Sequence, residues 1–207
     1  MSSDFEIVSE QKALKNRLAD LLKQKRRKRG LRDLHYFNRH ILEYKDMTDE
    51  DGFHSELCRA VASKKHRKNL ILMPRGGLKS SCITIGYSLR SIVRNPDIRI
   101  LICSEQFLTA KKFLAEIKGH MEKNETFRET YGDLVGKNKW ADAEIIVNTR
   151  KKYRKEPTIT CAGIDVTKVG LHYDMIIVDD PHSESNITSA EQIDKVKKWY
   201  KLLLSLL

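Results

Sequence analysis

Apolar residues recur along this chain with two spacings, one helical and one extended. Leu14, Leu18, Leu21 and Leu22 stand at helical intervals in a charged stretch, which predicts a helix over residues 4–29 closed by Gly30. Residues 31–50 are mixed and read as helical. Asp51-Gly52 marks a turn, and Phe53-His54-Ser55-Glu56-Leu57 starts a helix running to about Ser63. Residues 69–73 form a short apolar run, read as the first core strand, and a helix follows from Lys79 to about Arg94, ending before Asn95-Pro96. Residues 98–103 are a second apolar strand. Phe107, Ala110, Phe113, Leu114 and Ile117 give the core face of a helix over residues 106–123. Residues 124–142 show no period and read as an irregular excursion around Tyr131 and Trp140. Residues 144–148 and 158–161 read as a hairpin across a basic turn at 149–156, and residues 175–178 as a further buried strand. Ser189 and Gln192 have capping-box spacing, opening a helix whose apolar face is Ile193, Val196, Trp199, Tyr200 and Leu203. Strands alternating with helices predict an α/β three-layer sandwich around a mostly parallel sheet, with an N-terminal helical arm.

Two junctions in this pattern carry chemistry. The first is Pro74-Arg75-Gly76-Gly77-Leu78-Lys79-Ser80-Ser81, where an apolar run meets a glycine turn and then a helix opening on Lys-Ser. Backbone N–H groups at such a turn and at the helix start can cradle phosphate oxygens. The lysine reaches the outer phosphates and the first hydroxyl takes Mg²⁺. The spacing departs from the usual G-x-x-x-x-G-K-[ST], because Leu78 stands before the lysine. The second junction is Met175-Ile176-Ile177-Val178-Asp179-Asp180-Pro181, an apolar strand ending in two acids. The C-terminal tip of a parallel strand is where open α/β sheets bind ligands, and an acid there suits the hydration shell of a metal. Asp179 is therefore expected beside Mg²⁺. Asp180 or Glu184 is expected to orient the attacking water, and Arg75 to offer positive charge near the terminal phosphate. Phe53 and His54 are candidates to flank the base of ATP; core packing is the competing reading for both.

Charge adds a partner. The 207 residues carry 39 Lys and Arg against 28 Asp and Glu, a net charge of +11. Much of the excess lies in runs at 23–29, 64–68 and 150–155. Such a surface favours a polyanion through counterion release. Aromatics make up 7% and are not interleaved with the basic runs, so contacts that track a DNA or RNA backbone fit better than a base-stacking platform. The four cysteines are scattered without metal spacing and read as reduced and buried, as in a cytosolic protein. No apolar run reaches membrane length, and residues 1–10 lack the features of a secretory signal. No set of carboxylates suits two-metal cleavage, so no nuclease activity is expected. The chain ends inside an apolar helix at Leu207, and a continuation is expected.

With these segments in hand, residues 50–207 resemble the N-terminal ATPase part of large terminase subunits, the DNA-packaging motors of tailed bacteriophages. The resemblance rests on Phe53 to Cys58, on Pro74 to Ser81 with Arg75 four residues before the lysine, on Gly170-Leu171-His172-Tyr173-Asp174 running into the acidic strand, and on Ser189 to Trp199. It implies a P-loop NTPase fold of the RecA/ASCE type over residues 51–207, with residues 1–50 as a basic arm. It also implies ATP and Mg²⁺ as cofactors, and double-stranded DNA, a portal protein and a small terminase subunit as partners. The motor would be a homo-oligomeric ring in the host cytoplasm. Further charge for the transition state would come from Lys168, Arg150 or Arg154. Many relatives carry Asp-Glu where this chain has Asp179-Asp180, and the family's coupling motif and nuclease domain would lie after residue 207. A helicase-like translocase lobe shares both junctions, and a non-catalytic nucleotide- or DNA-binding module is the reading from outside enzymes.

Overall fold

The chain's computed structural model describes residues 2–49, 51–63, 65–164, 170–182 and 188–207, with side chains from residue 10 onward. Helix α1 spans Ser2–Arg32, followed by α2 (Leu34–Tyr36), a π-helical turn (Phe37–Ile41) and α3 (Phe53–Ala62). A π-helical segment, Ser80–Tyr87, runs without a break into α4 (Ser88–Arg94). Then come β1 (Ile100–Ser104), α5 (Phe107–Lys123), α6 (Glu125–Tyr131), β2 (Glu144–Ile145), β3 (Ile159–Gly163), β4 (Met175–Asp179) and α7 (Ala190–Leu204).

The four strands lie in the order β2-β3-β1-β4. β1 pairs parallel with both neighbours, Ile100 facing Ile159 on one side and Met175 on the other, while β2 closes the sheet antiparallel. Period-2 alternation along β1 builds a core on each face. Ile100 and Ile102 point into a cluster with Ile85, Leu89 and Ile92 of the loop-following helix and Ala110, Leu114 and Ile117 of α5. Leu101 and Cys103 point the other way, onto Val196, Trp199 and Leu203 of α7. The result is an α/β fold with an open, mostly parallel sheet and helices on both faces. All four cysteines are free and buried. Among the described residues no helix is long and apolar enough to cross a membrane.

Several expectations about elements change. Residues 69–73 join no strand, and Leu70 and Leu72 are 85% and 83% exposed. An apolar run becomes a buried strand only beside another strand, and here the sheet ends at β4. Residues 125–131 are helical rather than irregular, started by Asn124, whose side chain accepts from the Phe127 N–H at 2.8 Å. Helix α1 runs past Gly30 to Arg32. Gly30 is there for closeness: a Cβ would collide with the Tyr131 hydroxyl and Ile41. Phe107, Ile193 and Tyr200 are partly exposed rather than core residues. Residues 34–42 join the main core through Phe37, Ile41 and Leu42.

Candidate functional site

The loop between residues 73 and 79 is shaped by its backbone. Gly77 N–H donates to the Pro74 carbonyl at 3.2 Å, and Gly76 takes φ +81°, a left-handed conformation that glycine adopts without strain. Leu78 also has positive φ, +54°, which costs a non-glycine residue roughly 1 kcal/mol or more. Its side chain offsets this by packing on the cluster that includes Leu57 and Val61 of α3. Cys82 N–H then donates to the Leu78 carbonyl at 2.8 Å, starting the helix. So the leucine that breaks the sequence pattern stands in the left-handed geometry that a glycine would fill.

His54 braces this loop from α3. Its Nδ1 accepts from Thr48 N–H at 3.0 Å, which leaves Nε2 to donate to the Gly77 carbonyl at 3.2 Å. His54 is buried, and Phe53 beside it is half-exposed. Pro74 and Arg75 lie at the surface, and Arg75 makes no ion pair among the described residues. Ser80 and Ser81 are half-buried, with hydroxyls that hydrogen bond to no described residue.

Lys79 and the two acids, about a hundred residues apart in sequence, meet at the C-terminal edge of the parallel strands. Lys79 Nζ lies 3.0 Å from Asp179 Oδ1 and also pairs with Asp180. Asp179, the last residue of β4, is 4% exposed, and its Oδ2 accepts from Thr84 Oγ1 at 2.7 Å. Asp180 is exposed and has φ +46°. The Glu105 N–H donates to the Asp180 carbonyl at 3.3 Å and ties the tips of β1 and β4 together. Burial works against the Lys79 ammonium, but the hydrogen bonds from Asp180 and Asp179 outweigh it, and its pKa is raised.

Thr84 escaped the sequence reading. Its signal was a hydroxyl inside the apolar run Cys82-Ile83-Thr84-Ile85 of the helix that begins at Lys79. Glu184 and Lys168 lie outside the described residues. Arg150 and Arg154 belong to the segment before β3 and so lie at the N-terminal edge of the strands, a strand length of about 16 Å from the Lys79 edge.

The site combines one ammonium with two carboxylates, one of them buried, beside a glycine turn. Mg²⁺ prefers one or two carboxylates completed by water and phosphate oxygens over an all-protein cage. Asp179 fits that role: among the described residues its charge is met by the Thr84 hydroxyl on Oδ2 and by the Lys79 ammonium, which a phosphate could draw away. Among the described residues no group of three or more His, Cys, Asp or Glu could hold a metal alone. The chain matches no protein-family model and no curated protein.

Proposed function

We propose that this chain is an ATP-hydrolysing motor domain that drives double-stranded DNA, as the resemblance to large terminase subunits implies. The observation that carries the reading is the meeting of Lys79 with Asp179 and Asp180 at the C-terminal edge of a parallel sheet. Lys79 is held by the two acids. Lys79 would turn its ammonium to the outer phosphates of ATP, Ser80 and Asp179 would hold Mg²⁺, and the backbone of residues 76–79 would cradle phosphate oxygens. Mg²⁺ neutralises charge on the phosphates when bound. Asp180, freed from Lys79, or Glu184 orients water for in-line attack, and Arg75 supplies positive charge from the loop surface. Portal protein, small subunit and a ring of like chains are the partners of that reading, in the host cytoplasm.

The test is steady-state ATP hydrolysis with Mg²⁺, with and without duplex DNA, alongside binding of a fluorescent ATP analogue. Lys79→Ala is expected to abolish turnover and weaken nucleotide affinity. Turnover equal to the parent chain in that variant would remove the phosphate-loop reading altogether.

A further inference from the structure

The sheet edge opposite Lys79 carries a second charged feature. The segment joining β2 to β3, together with residues 137–138, lines a cleft of about 570 Å³. Lys137, Arg150, Lys151, Lys152 and Arg154 supply five cations to its wall, and among the described residues no carboxylate lines it. Ile146 and Val147 provide apolar surface, and the Tyr153 ring is fully exposed.

The cleft is built rather than incidental. Asp97, just ahead of β1, accepts from the backbone N–H groups of both Lys151 and Lys152 at 2.8 Å. The bond from Lys152 N–H is the chief reason its pKa is lowered. Arg150 Nε donates to the Lys152 carbonyl at 3.1 Å. These bonds fix the basic turn by its backbone and leave the lysine side chains exposed. Arg150 is held at a cost. Its two outer guanidinium nitrogens are buried with no hydrogen-bond partner. Burial lowers its pKa; attraction to Asp97 opposes this, and repulsion from Arg154 and Arg99 works with the burial. A guanidinium with buried, unpartnered donors is stabilised by an incoming anion.

We infer that this cleft seats backbone phosphates of double-stranded DNA, on the sheet edge opposite the nucleotide site. The cations spread along a wall instead of converging on one point, which suits a line of phosphates. One exposed tyrosine is too few for a base-stacking track. Of the other basic runs, the first competes poorly for the role. In it, Arg26 pairs with Glu129 at 3.5 Å, Arg27 covers the Tyr131 ring and Arg29 covers the Tyr36 ring at 4.3 Å. The choice of duplex DNA rests on the motor reading; the anion chemistry of the cleft stands without it.

The experiment measures binding of the full chain to a fluorescent 30-bp duplex over a series of salt concentrations. The comparison is the exposed triple variant Lys151→Ala/Lys152→Ala/Arg154→Ala, with tripolyphosphate and single-stranded DNA as competitors. The triple variant should flatten the log–log salt slope by roughly 0.9 for each phosphate contact removed. It should bind the ATP analogue as the parent does, which also reports that it is folded. Lys79→Ala should bind duplex normally. DNA binding lost in the triple variant while neither parent nor variant binds nucleotide would support the cleft and remove the motor reading. An unchanged slope and affinity in a folded triple variant would overturn the inference. So would single strands competing better than duplex, or tripolyphosphate binding that depends on these residues with no DNA binding.

Discussion

At the scale of single residues, Thr84 sets the state of Asp179 as much as Lys79 does. It donates from the loop-following helix to a carboxylate that is almost wholly buried. A hydrogen bond to a charged group contributes about 1.5–3 kcal/mol, so Thr84→Val should lower stability by that order in a urea titration. It should also weaken Mg²⁺-dependent nucleotide binding, because the carboxylate loses its fixed direction. Asp180 is different: it is exposed and reaches Lys79 from a strained backbone. Asp180→Asn should spare nucleotide binding and reduce turnover about 100-fold if it positions water. An active Asp180→Asn beside a dead Glu184→Gln would move that role to Glu184. The pH dependence follows from the raised Lys79 pKa. The contribution of Lys79 to stability is complete below its ordinary value of 10.5 and is lost as pH rises through the higher folded value. Urea midpoints of the parent and of Lys79→Ala should therefore differ at neutral pH and converge only in strong alkali.

At the scale of elements, the helix after the loop is wound by a neighbour. Asn38, in the first π-helical turn, donates Nδ2 to the Cys82 carbonyl at 3.1 Å, the acceptor that Gly86 N–H would use in an α-helix. Asn38 lies so close to Gly86 that a Cβ there would overlap it. An inserted side chain of this kind is an identifiable cause of π winding. Gly86→Ala should destabilise the chain by about 1–3 kcal/mol, read from the thermal or urea midpoint, and displace the start of the helix that carries Lys79. Elements differ in how far they could be read from the sequence, for the same reason. The Ser189–Gln192 capping box is made within four residues, and both its bonds are present. The β2–β3 hairpin was legible for similar reasons, since short strands flank one basic turn. By contrast, the run at 69–73 looked like a strand because local pattern cannot say whether a neighbouring strand exists. The winding after Lys79 depends on Asn38, far away in sequence. Helix α6 was there to be read in Asn124 and Glu125, and was obscured by the weak period of its seven residues. The site itself was legible as residue types at two junctions, but Thr84 and the His54 brace came only with the fold.

At the scale of the whole molecule, the sheet separates two charged edges, with Lys79 and the acids at one and the basic cleft at the other. The N-terminal helix is attached to neither edge directly. Arg90, buried in α4, donates Nε to the Gly30 carbonyl at 3.3 Å and Nη2 to the Leu31 and Arg32 carbonyls at 3.0 and 2.9 Å. A cation on the last carbonyls of a helix also opposes the negative end of its dipole. Arg90→Met should release that end, with a loss of about 2–3 kcal/mol and faster tryptic cleavage within residues 25–32. Unchanged cleavage would mean that ring contacts from Arg27 and Arg29 suffice to hold the helix.

The helix that begins at Lys79 continues without interruption to Arg94, and Arg90 rides on it. Lys79 and the mooring of α1 are therefore two points on one rod. Residues 10–25 of α1 are exposed throughout, with Leu14, Leu18, Leu21 and Leu22 facing solvent. These sixteen residues make an outrigger of about 24 Å, so a tilt of about ten degrees at its mooring moves the tip by about 4 Å. On the proposed motor reading such an arm would work as a pointer, turning a small displacement at Lys79 into a stroke on the scale of a nucleic-acid step. Distances between a label at residue 14 and one on the core, measured with and without nucleotide, would read that stroke; identical distributions would mean that the pointer is fixed.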